Sequence, residues 1–252
     1  MSLIALLSDF GYSDGFVGAV KGVILSINPS AVIVDITHDV EPFNIFEGAF
    51  LLKSHYKFFP EGTIFWCVVD PGVGSERRPL IIKTEKYIFV GPENGIFDLV
   101  IRDLKEHFVA YEIKNRKYML EQVSNTFHGR DIFAPVSAHL SLGVKPEEMG
   151  EEVEYSFSLP FKRAVKEVDH ISGEIIYFDR YGNGITNIPC SNYSYGEIKG
   201  EKVRVVPYFS AGISDRLNIT CGSFGYMEVF IPKASAKERY GLKEGDKVKV
   251  YF

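Results

Sequence analysis

TIFWCVVDPGVGSERRPL, residues 63–80, joins an apolar run to a loop of glycine and charged residues. The run over residues 63–69 predicts a strand buried on both faces, because its apolar residues are continuous rather than alternating. Proline and glycine then end the strand, so Asp70 lies at its carboxyl end. Arg77 follows within reach of that carboxylate, and the glycines between them let the backbone fold closely around a ligand. The stretch therefore predicts a strand that delivers an acid and a guanidinium to one candidate site.

Apolar runs alternate with segments of helical spacing on both sides of this stretch. The runs that predict strands cover residues 4–7, 31–36, 80–83 and 87–90, and the helical segments cover 17–27, 44–56, 96–104 and a stretch ending near 142. Such alternation is typical of helices packed on a largely parallel sheet. We therefore predict an α/β fold for the N-terminal part of the chain.

The composition changes after residue 143, where an acidic, loop-like stretch and then a Leu-Pro-Phe linker follow. Beyond the linker the strand-like runs cover residues 173–178, 202–206, 226–231 and 245–250. Short strands without long helices are typical of a small barrel or sandwich. We predict an N-terminal α/β domain over residues 1–164 and a smaller C-terminal β-barrel-like domain over residues 165–252.

Composition and charge narrow the class of protein. The 252 residues carry a net charge of -5 and are 46% hydrophobic. This acidic balance argues against binding of nucleic acid, which needs a cationic surface. No apolar run is long enough to cross a bilayer, and the apolar start lacks the cationic leader of a signal peptide. We expect a cytoplasmic protein whose partner is a small molecule, with no nucleic acid and no membrane involved.

The three cysteines are Cys67, Cys190 and Cys221. They are widely separated and odd in number, and no two of them form a CxxC pair. This spacing predicts neither a disulfide framework nor a thiolate metal site, and we expect small buried apolar residues.

Loops that follow successive strands carry the candidate site residues. The carboxyl ends of parallel strands collect ligands, so we expect Asp9, Asp70 and Asn94 to converge, with His128 before a helix at the same edge. Asp9 can equally cap the helix after it or accept hydrogen bonds from the two hydroxyls of a ribose. Asp70 and Arg77 can form a structural ion pair or a catalytic one, and His128 alone can be ordinary helix-entry chemistry.

A catalytic metal is a competing interpretation, because aspartates and histidines are hard oxygen and imidazole ligands. The candidates are Asp9, Asp14, His38, Asp39, Asp70 and His128. None of them lies at a ligand spacing such as HxxxH, so we expect no metal. A phosphate-binding loop of the form GxxxxGK[ST] is absent as well, which argues against a nucleoside triphosphate.

Six short motifs follow one another over nearly the whole chain. They are SDFG at 8–11 with Asp14, VVDPGVG at 68–74 with Arg77 and Arg78, GPENG at 91–95, FHGRD at 127–131, DRYGNGITN at 179–187 and SFGY at 223–226. In this order the motifs resemble one family, the SAM hydroxide adenosyltransferases, or S-adenosylmethionine hydrolases. The fluorinating and chlorinating enzymes are relatives of that family.

The resemblance implies displacement at the ribose 5′ carbon of S-adenosylmethionine by hydroxide, giving adenosine and L-methionine without a metal or another cofactor. It implies a homotrimer whose sites lie between subunits. Carried over by motif, Asp70, Arg77 and His128 surround the attacking water, and which of the acid and the imidazole is the base stays open. The implied substrate contacts are Asp9 with the ribose, Asp179 with the methionine ammonium, Asn183 with adenine, Ser223 with the methionine carboxylate, and Asn94, Tyr226 and the backbone near Ile231 and Lys233.

Differences from the halogenating relatives favour hydroxide over halide. Those relatives have a non-acidic residue in place of Asp70 and an extra loop after the segment that matches Gly74, and the fluorinating enzymes place a halide-binding serine where this chain has Gly129. The fluorinating relatives also have an arginine where this chain has Phe224, which weakens the assignment of the neighbouring serine. A SAM-dependent halogenase and a protein that binds adenosine or S-adenosylmethionine without reaction remain the alternatives.

Overall fold

A computed structural model describes residues 3–161 and 163–252. The chain divides into two compact units, one ending at Pro160 and the other beginning at Phe161, and each is described by itself. The domain boundary at 164/165 stays a prediction. Within the described ranges, no helix is both long and apolar enough to cross a membrane.

The N-terminal unit contains a seven-stranded sheet. Its strands are β1 (Leu3–Ser8), β2 (Val32–Thr37), β3 (Ile64–Val68), β4 (Pro79–Thr84), β5 (Ile88–Pro92), β6 (Phe108–Ile113) and β7 (Gly150–Val153). Their order across the sheet is β2-β1-β3-β5-β4-β6-β7. The neighbouring strands β2, β1, β3 and β5 are mutually parallel. The strands β4, β6 and β7 each run antiparallel to their neighbours. The predicted α/β class is confirmed, and the parallel part of the sheet carries the candidate site.

Helices cover both faces of this sheet. They are α1 (Phe16–Ile27), α2 (Ile45–His55), α3 (Asp98–Leu104), α4 (Ala134–Ser141) and α5 (Pro146–Met149), with a π-helical turn over Gly129–Phe133 before α4. The buried face of α1 includes Val20 and Ile24, which join a core with Trp66 on β3 and the residues of α4. The helical periodicity seen in the sequence is therefore the pattern of this contact. Asn44 caps α2 by accepting a hydrogen bond from the backbone N–H of Glu47 at 3.1 Å.

The C-terminal unit is a closed barrel. Its strands are β8 (Val165–Lys166), β9 (His170–Phe178), β10 (Gly184–Pro189), β11 (Tyr195–Ile198), β12 (Glu201–Val205), β13 (Asn218–Cys221), β14 (Tyr226–Phe230) and β15 (Lys247–Tyr251), and the short helix α6 spans Ala236–Tyr240. Seven strands form the ring β10-β14-β13-β12-β11-β15-β9, and pairing of β9 with β10 closes it. The added strand β8 pairs with β9. The predicted β-barrel-like domain is confirmed.

The expectation of three unpaired cysteines is wrong for two of them. Cys190 and Cys221 form a disulfide, with their Cα atoms 5.3 Å apart. They lie 31 residues apart in sequence, but Cys190 follows β10 and Cys221 ends β13, the two strands that flank β14. Strand pairing in the barrel therefore brings together what sequence spacing separates. Cys67 is buried and free, as expected.

Candidate functional site

A cavity of about 300 Å³ opens beside the carboxyl ends of β1 and β3. The residues around it that carry the argument are Asp9, Phe43, Asp70, Phe127, His128 and Gly129. Two predicted acids and the predicted histidine therefore share one cavity, although they are far apart in the sequence. The parallel strands explain this, because β1 and β3 are neighbours and both end at the same edge of the sheet.

Asp70 is placed by the end of β3 and by a tight turn after it. Ser75 donates a hydrogen bond from its hydroxyl to the carbonyl of Gly72, 2.6 Å away, inside this turn. Gly74 has a φ of 78°, and a Cβ on it would stand 2.3 Å from the carbonyl oxygen of Asn125. Glycine is thus required at this position both for its backbone conformation and for the close approach of the segment that leads to His128.

Asp70, Arg77 and His128 form one connected group. Arg77 donates from Nε to Oδ1 and Oδ2 of Asp70, each 3.0 Å away, and its Nη2 also contacts Oδ2. The same Nη2 lies 2.9 Å from Nδ1 of His128. The side chains of Arg77 and Asp70 are 9% and 5% exposed, and the guanidinium lies over the ring of Phe133 at 5.4 Å. The pair is buried, so its geometry is held far more firmly than a surface ion pair.

The protonation state of His128 follows from this geometry. Burial and the neighbouring Arg77 cation lower the pKa of the imidazole, and the carboxylates of Asp70 and Asp131 oppose that shift only in part. Arginine has no acceptor atom, so Nδ1 of His128 must accept the hydrogen bond from Arg77. In a neutral imidazole the proton is then on Nε2. His128 can therefore donate a hydrogen bond from Nε2 to a molecule beside it.

Asp9 faces the cavity and does not cap the helix after it. Its Oδ2 accepts a hydrogen bond from the backbone N–H of Phe43, 2.9 Å away. The N-cap of α1 is Gly15, and among the described residues no side chain makes a cap bond there. The capping interpretation of Asp9 is therefore wrong. Because Asp9 borders the cavity, its second carboxylate oxygen and remaining lone pairs can accept hydrogen bonds from a ligand there.

Asn94 has a structural position in the N-terminal unit. Its side-chain amide donates to the carbonyl of Val69 at 2.8 Å, and its Oδ1 accepts from the backbone N–H of Ile96 at 3.3 Å. The residue is not among those that surround the cavity, but it fixes the backbone directly before Asp70.

Aromatic side chains around this cavity were missed by the sequence reasoning. Phe43 is 71% exposed and has a φ of 69°, an uncommon conformation for a bulky residue. Phe10 and Phe127 pack edge to face at 5.6 Å and form part of the wall. The abundance of phenylalanine was visible in the composition, but no spacing distinguishes a wall residue from a core residue.

The C-terminal unit has a second cavity, of about 430 Å³. Asn183, Phe209, Phe230, Ile231, Lys233 and Ser235 are among the residues that surround it. Asp179 lies next to it and accepts three hydrogen bonds within its own turn, from the backbone N–H groups of Tyr181 and Asn183 and from the Asn183 amide, at 2.8–2.9 Å. Two predicted contacts, Asn183 and Ile231, therefore share a cavity, and Asp179 holds the first of them in place.

Glu228 on β14 is an acid that the sequence reasoning missed. It is 6% exposed, and burial together with the charge of Asp179 raises its pKa to about 7, while a hydrogen bond from Asn183 works in the opposite direction. Ser223 lies in the turn between β13 and β14, and Tyr226 is the first residue of β14. Successive side chains of a strand point to opposite faces, so an acid between two apolar residues is expected to face solvent. The sequence pattern therefore does not indicate that Glu228 is buried.

The part of the chain that the structure describes shows no metal centre. Across residues 3–161 and 163–252, no group of three or more histidine, cysteine, aspartate or glutamate side chains is arranged to hold a metal ion. A reaction without metal or cofactor stays a prediction.

Comparison with known proteins decides the family. The family model of the SAM hydroxide adenosyltransferase N-terminal domain matches residues 4–150, and that of the C-terminal domain matches residues 173–249. The chain belongs to the SAM hydroxide adenosyltransferase family. The resemblance read from the six motifs is confirmed.

Individual relatives agree with this membership. The chain is similar to "(R)-S-adenosyl-L-methionine hydrolase" of Thermus thermophilus, at 35% identity over 99% of this chain and 100% of that protein. It is also similar to "Fluorinase" of Nocardia brasiliensis, at 30% identity over 98% of this chain and 96% of that protein. Among solved structures, an uncharacterized conserved protein from Thermotoga maritima matches with a TM-score of 0.91 and 34% identity over 99% of this chain and all of that one.

Proposed function

We propose that this adenosyltransferase-family protein hydrolyses S-adenosyl-L-methionine to adenosine and L-methionine, by attack of water on the ribose 5′ carbon. The observation that carries the proposal is the buried Asp70–Arg77–His128 group, which stands at the same cavity as Asp9. A carboxylate suited to a ribose thus lies beside a polar group suited to one water molecule. The name of the relative from Thermus thermophilus supports the same reaction.

The chemistry needs little more than a positioned water. A sulfonium is already a good leaving group, so the enzyme gains most by holding water in line with the breaking carbon–sulfur bond and by excluding bulk solvent. We assign proton acceptance to Asp70, because a carboxylate has about four lone-pair sites and Arg77 uses only part of them. We assign orientation of the water to the Nε2–H of His128, since Nδ1 is occupied by Arg77.

Hydroxide rather than halide is the nucleophile in this proposal. Gly129 is packed so closely that a Cβ on it would stand 3.2 Å from both Phe10 and Trp66. The indole of Trp66 also donates to the Gly129 carbonyl at 3.3 Å. A serine at this position, as the fluorinating relatives have it, would need these rings to move. The Asp70 carboxylate further repels a halide ion, whereas a neutral water can approach it and give up a proton to it during the attack.

For the rest of the substrate we propose the contacts that the family resemblance implies. Asp9 holds the ribose hydroxyls, Asp179 the methionine ammonium, Asn183 and backbone near Ile231 the adenine, and Ser223 the methionine carboxylate, with Tyr226 beside it. Asn94 acts by fixing the backbone before Asp70. These assignments place the reacting centre in the N-terminal unit and the adenine and amino-acid ends in the C-terminal unit.

We also propose a homotrimer, in which the N-terminal unit of one subunit and the C-terminal unit of its neighbour complete each site. We further propose that the protein is cytoplasmic. The family resemblance supports the assembly. Sedimentation in solution tests the assembly and cell fractionation tests the location.

Chromatography of the products tests the reaction. The purified protein is incubated with each sulfonium epimer of S-adenosyl-L-methionine, with and without chloride or fluoride. Adenosine and methionine in equal amounts, independent of halide, support the proposal. A 5′-halogenated nucleoside would instead identify a halogenase, and tight adenosine binding without any product would identify a binding protein.

A further inference from the structure

A chain of polar side chains with a buried centre lies directly behind the Asp9 loop and has no role in the proposed chemistry. Its members are Ser8 at the end of β1, His38 after β2, Asp35 on β2 and Lys21 on α1. Ser8 is 0% exposed and His38 is 1% exposed. Buried polar groups cost free energy unless they are satisfied, so a connected chain of them calls for an explanation.

The connections run without a break from the helix to the loop. Lys21 donates from Nζ to Oδ2 of Asp35 at 2.6 Å. Nε2 of His38 lies 3.2 Å from Oδ1 of Asp35, and Nδ1 of His38 lies 2.6 Å from Oγ of Ser8. Ser8 Oγ in turn accepts the backbone N–H of Phe10 at 3.3 Å.

The charge state of His38 fixes the direction of these hydrogen bonds. Burial lowers the pKa of His38 and the Lys21 cation adds to that effect, while the carboxylates of Asp35 and Asp39 oppose it. A neutral ring that faces a carboxylate on one side has its proton there, so Nε2 donates to Asp35 and Nδ1 accepts from the Ser8 hydroxyl. His38 and Ser8 then each donate one hydrogen bond and accept another, Lys21 only donates and Asp35 only accepts.

The Ser8–His38–Asp35 connectivity is that of a hydrolytic triad, but it is not a second catalytic centre. A nucleophilic serine must reach its substrate, and Ser8 has no exposed surface. Its oxygen is also occupied by the backbone N–H of Phe10. The chain must therefore act on the backbone rather than on a ligand.

The backbone that it holds is the loop of Asp9. The side chain of His38 is hydrogen-bonded to the hydroxyl of Ser8, which in turn accepts the backbone N–H of Phe10. Ser8 and Phe10 are the two neighbours of Asp9 in the chain. The main chain of His38 also holds the loop, because its carbonyl accepts a hydrogen bond from the backbone N–H of Gly11 at 2.8 Å. A residue flanked on both sides by fixed neighbours has little freedom to move its Cα.

We propose that His38, held by Asp35, is a positioning residue that sets the place of the Asp9 carboxylate and thereby the selectivity of the site for a nucleoside with both ribose hydroxyls. The inference rests on the proposed role of Asp9 as the acceptor for those hydroxyls. A misplacement of about 1 Å can reduce the reaction rate by about a hundredfold, so even partial loosening of the loop is measurable.

Calorimetric titration with two ligands tests the proposal. Adenosine has both hydroxyls, and 2′,3′-dideoxyadenosine has neither, so the ratio of their affinities reports on the diol contact alone. We expect the His38→Leu protein to lose about tenfold or more of its adenosine affinity and to bind the dideoxy ligand as the unmodified protein does. His38→Gln, which can bond to both neighbours, should retain an intermediate ratio.

Controls separate this inference from the proposed function. His139→Leu replaces a partly buried histidine of the same unit that lies on α4 and does not surround the cavity, and it should keep the affinity ratio of the unmodified protein. Asp9→Ala should bring the ratio of adenosine affinity to dideoxyadenosine affinity down to about one. If it does not, the assignment of Asp9 fails and the His38 inference fails with it. If Asp9→Ala brings this affinity ratio down to about one but folded His38→Leu has the ratio of the unmodified protein, only the His38 inference is overturned.

A second variant covers the case in which His38→Leu does not fold. Asp35 is partly exposed, with 24% of its side chain accessible, so Asp35→Asn should fold while weakening the hold on His38. We expect a reduced ratio, with kcat of S-adenosylmethionine hydrolysis changed less than KM. An unchanged ratio in Asp35→Asn would contradict the proposal in the same way.

Discussion

Replacing Asp70 and His128 separately distinguishes the two groups beside the proposed water. Asparagine at Asp70 keeps the shape but cannot take a proton, so turnover should fall by about 100- to 10,000-fold. That loss corresponds to a barrier higher by about 3–5 kcal/mol. Glutamine at His128 keeps an N–H donor and weakens one hydrogen bond, which should reduce turnover by about tenfold or less.

The stability of the two variants should also differ. The Asp70 and Arg77 side chains are only 5% and 9% exposed, so Asp70→Asn leaves a buried guanidinium without its carboxylate. Breaking such a pair costs about 3–5 kcal/mol of unfolding free energy. For a chain of this size we expect the melting temperature to fall by about 6–20 °C. Turnover must therefore be measured at a temperature where circular dichroism shows that each variant is folded.

Chromatographic assay of adenosine release under substrate saturation gives the comparison. An Asp70→Gly protein supplied with formate provides the matching rescue, since formate restores a proton acceptor without restoring the side chain. We expect formate to raise turnover of Asp70→Gly and to leave His128→Gln unaffected. If His128→Gln loses more turnover than Asp70→Asn, or if folded Asp70→Asn is fully active, the assignment of Asp70 as the proton acceptor is refuted.

Two predictions concern the C-terminal unit. The pKa of Glu228 is raised to about 7 from its ordinary value of 4.5, so its contribution to stability is complete below pH about 4.5 and is lost as pH rises through 7, by about 3 kcal/mol in all. Glu228→Gln should therefore be more stable than the unmodified protein at pH 8, and its unfolding free energy, measured with urea, should depend less on pH. The control Glu85→Gln, at an exposed turn, should behave like the unmodified protein. If the unfolding free energy of all three proteins changes equally with pH, the buried carboxyl is contradicted. Cys190→Ser opens the disulfide to Cys221, a loop of 31 residues, and should cost about 3–4 kcal/mol in unfolding free energy by loop entropy; a melting temperature unchanged by this substitution would argue against the bond.

Much of the architecture could be predicted because local patterns and global packing agree. The continuous apolar run at residues 63–69 became β3, and the helical spacing after residue 16 became the buried face of α1. Asp70 and His128 could be brought to one edge from the rule that ligands collect at strand ends. The apolar run at residues 80–83 became β4, but its antiparallel direction could not be predicted, since an apolar run does not show which direction its strand takes. The strand β6 was not predicted.

The features that escaped prediction are those made by tertiary structure. The pairing of Cys190 with Cys221 depends on strand neighbours in the barrel. Phe43 combines a positive φ with a backbone N–H that donates to Asp9, a residue 34 positions earlier in the chain. The burial of Glu228 is caused by the turn over it, where a Cβ on Gly222 would stand 2.4 Å from Oε2.

Hydrolysis in water enriched in oxygen-18 tests the central claim most directly. If water attacks the ribose 5′ carbon, mass spectrometry will find the heavy oxygen in the 5′ hydroxyl of adenosine, and the methionine released with it will carry none. Adenosine without label, or label in methionine instead, would show that the bond is broken in another way and would contradict the account.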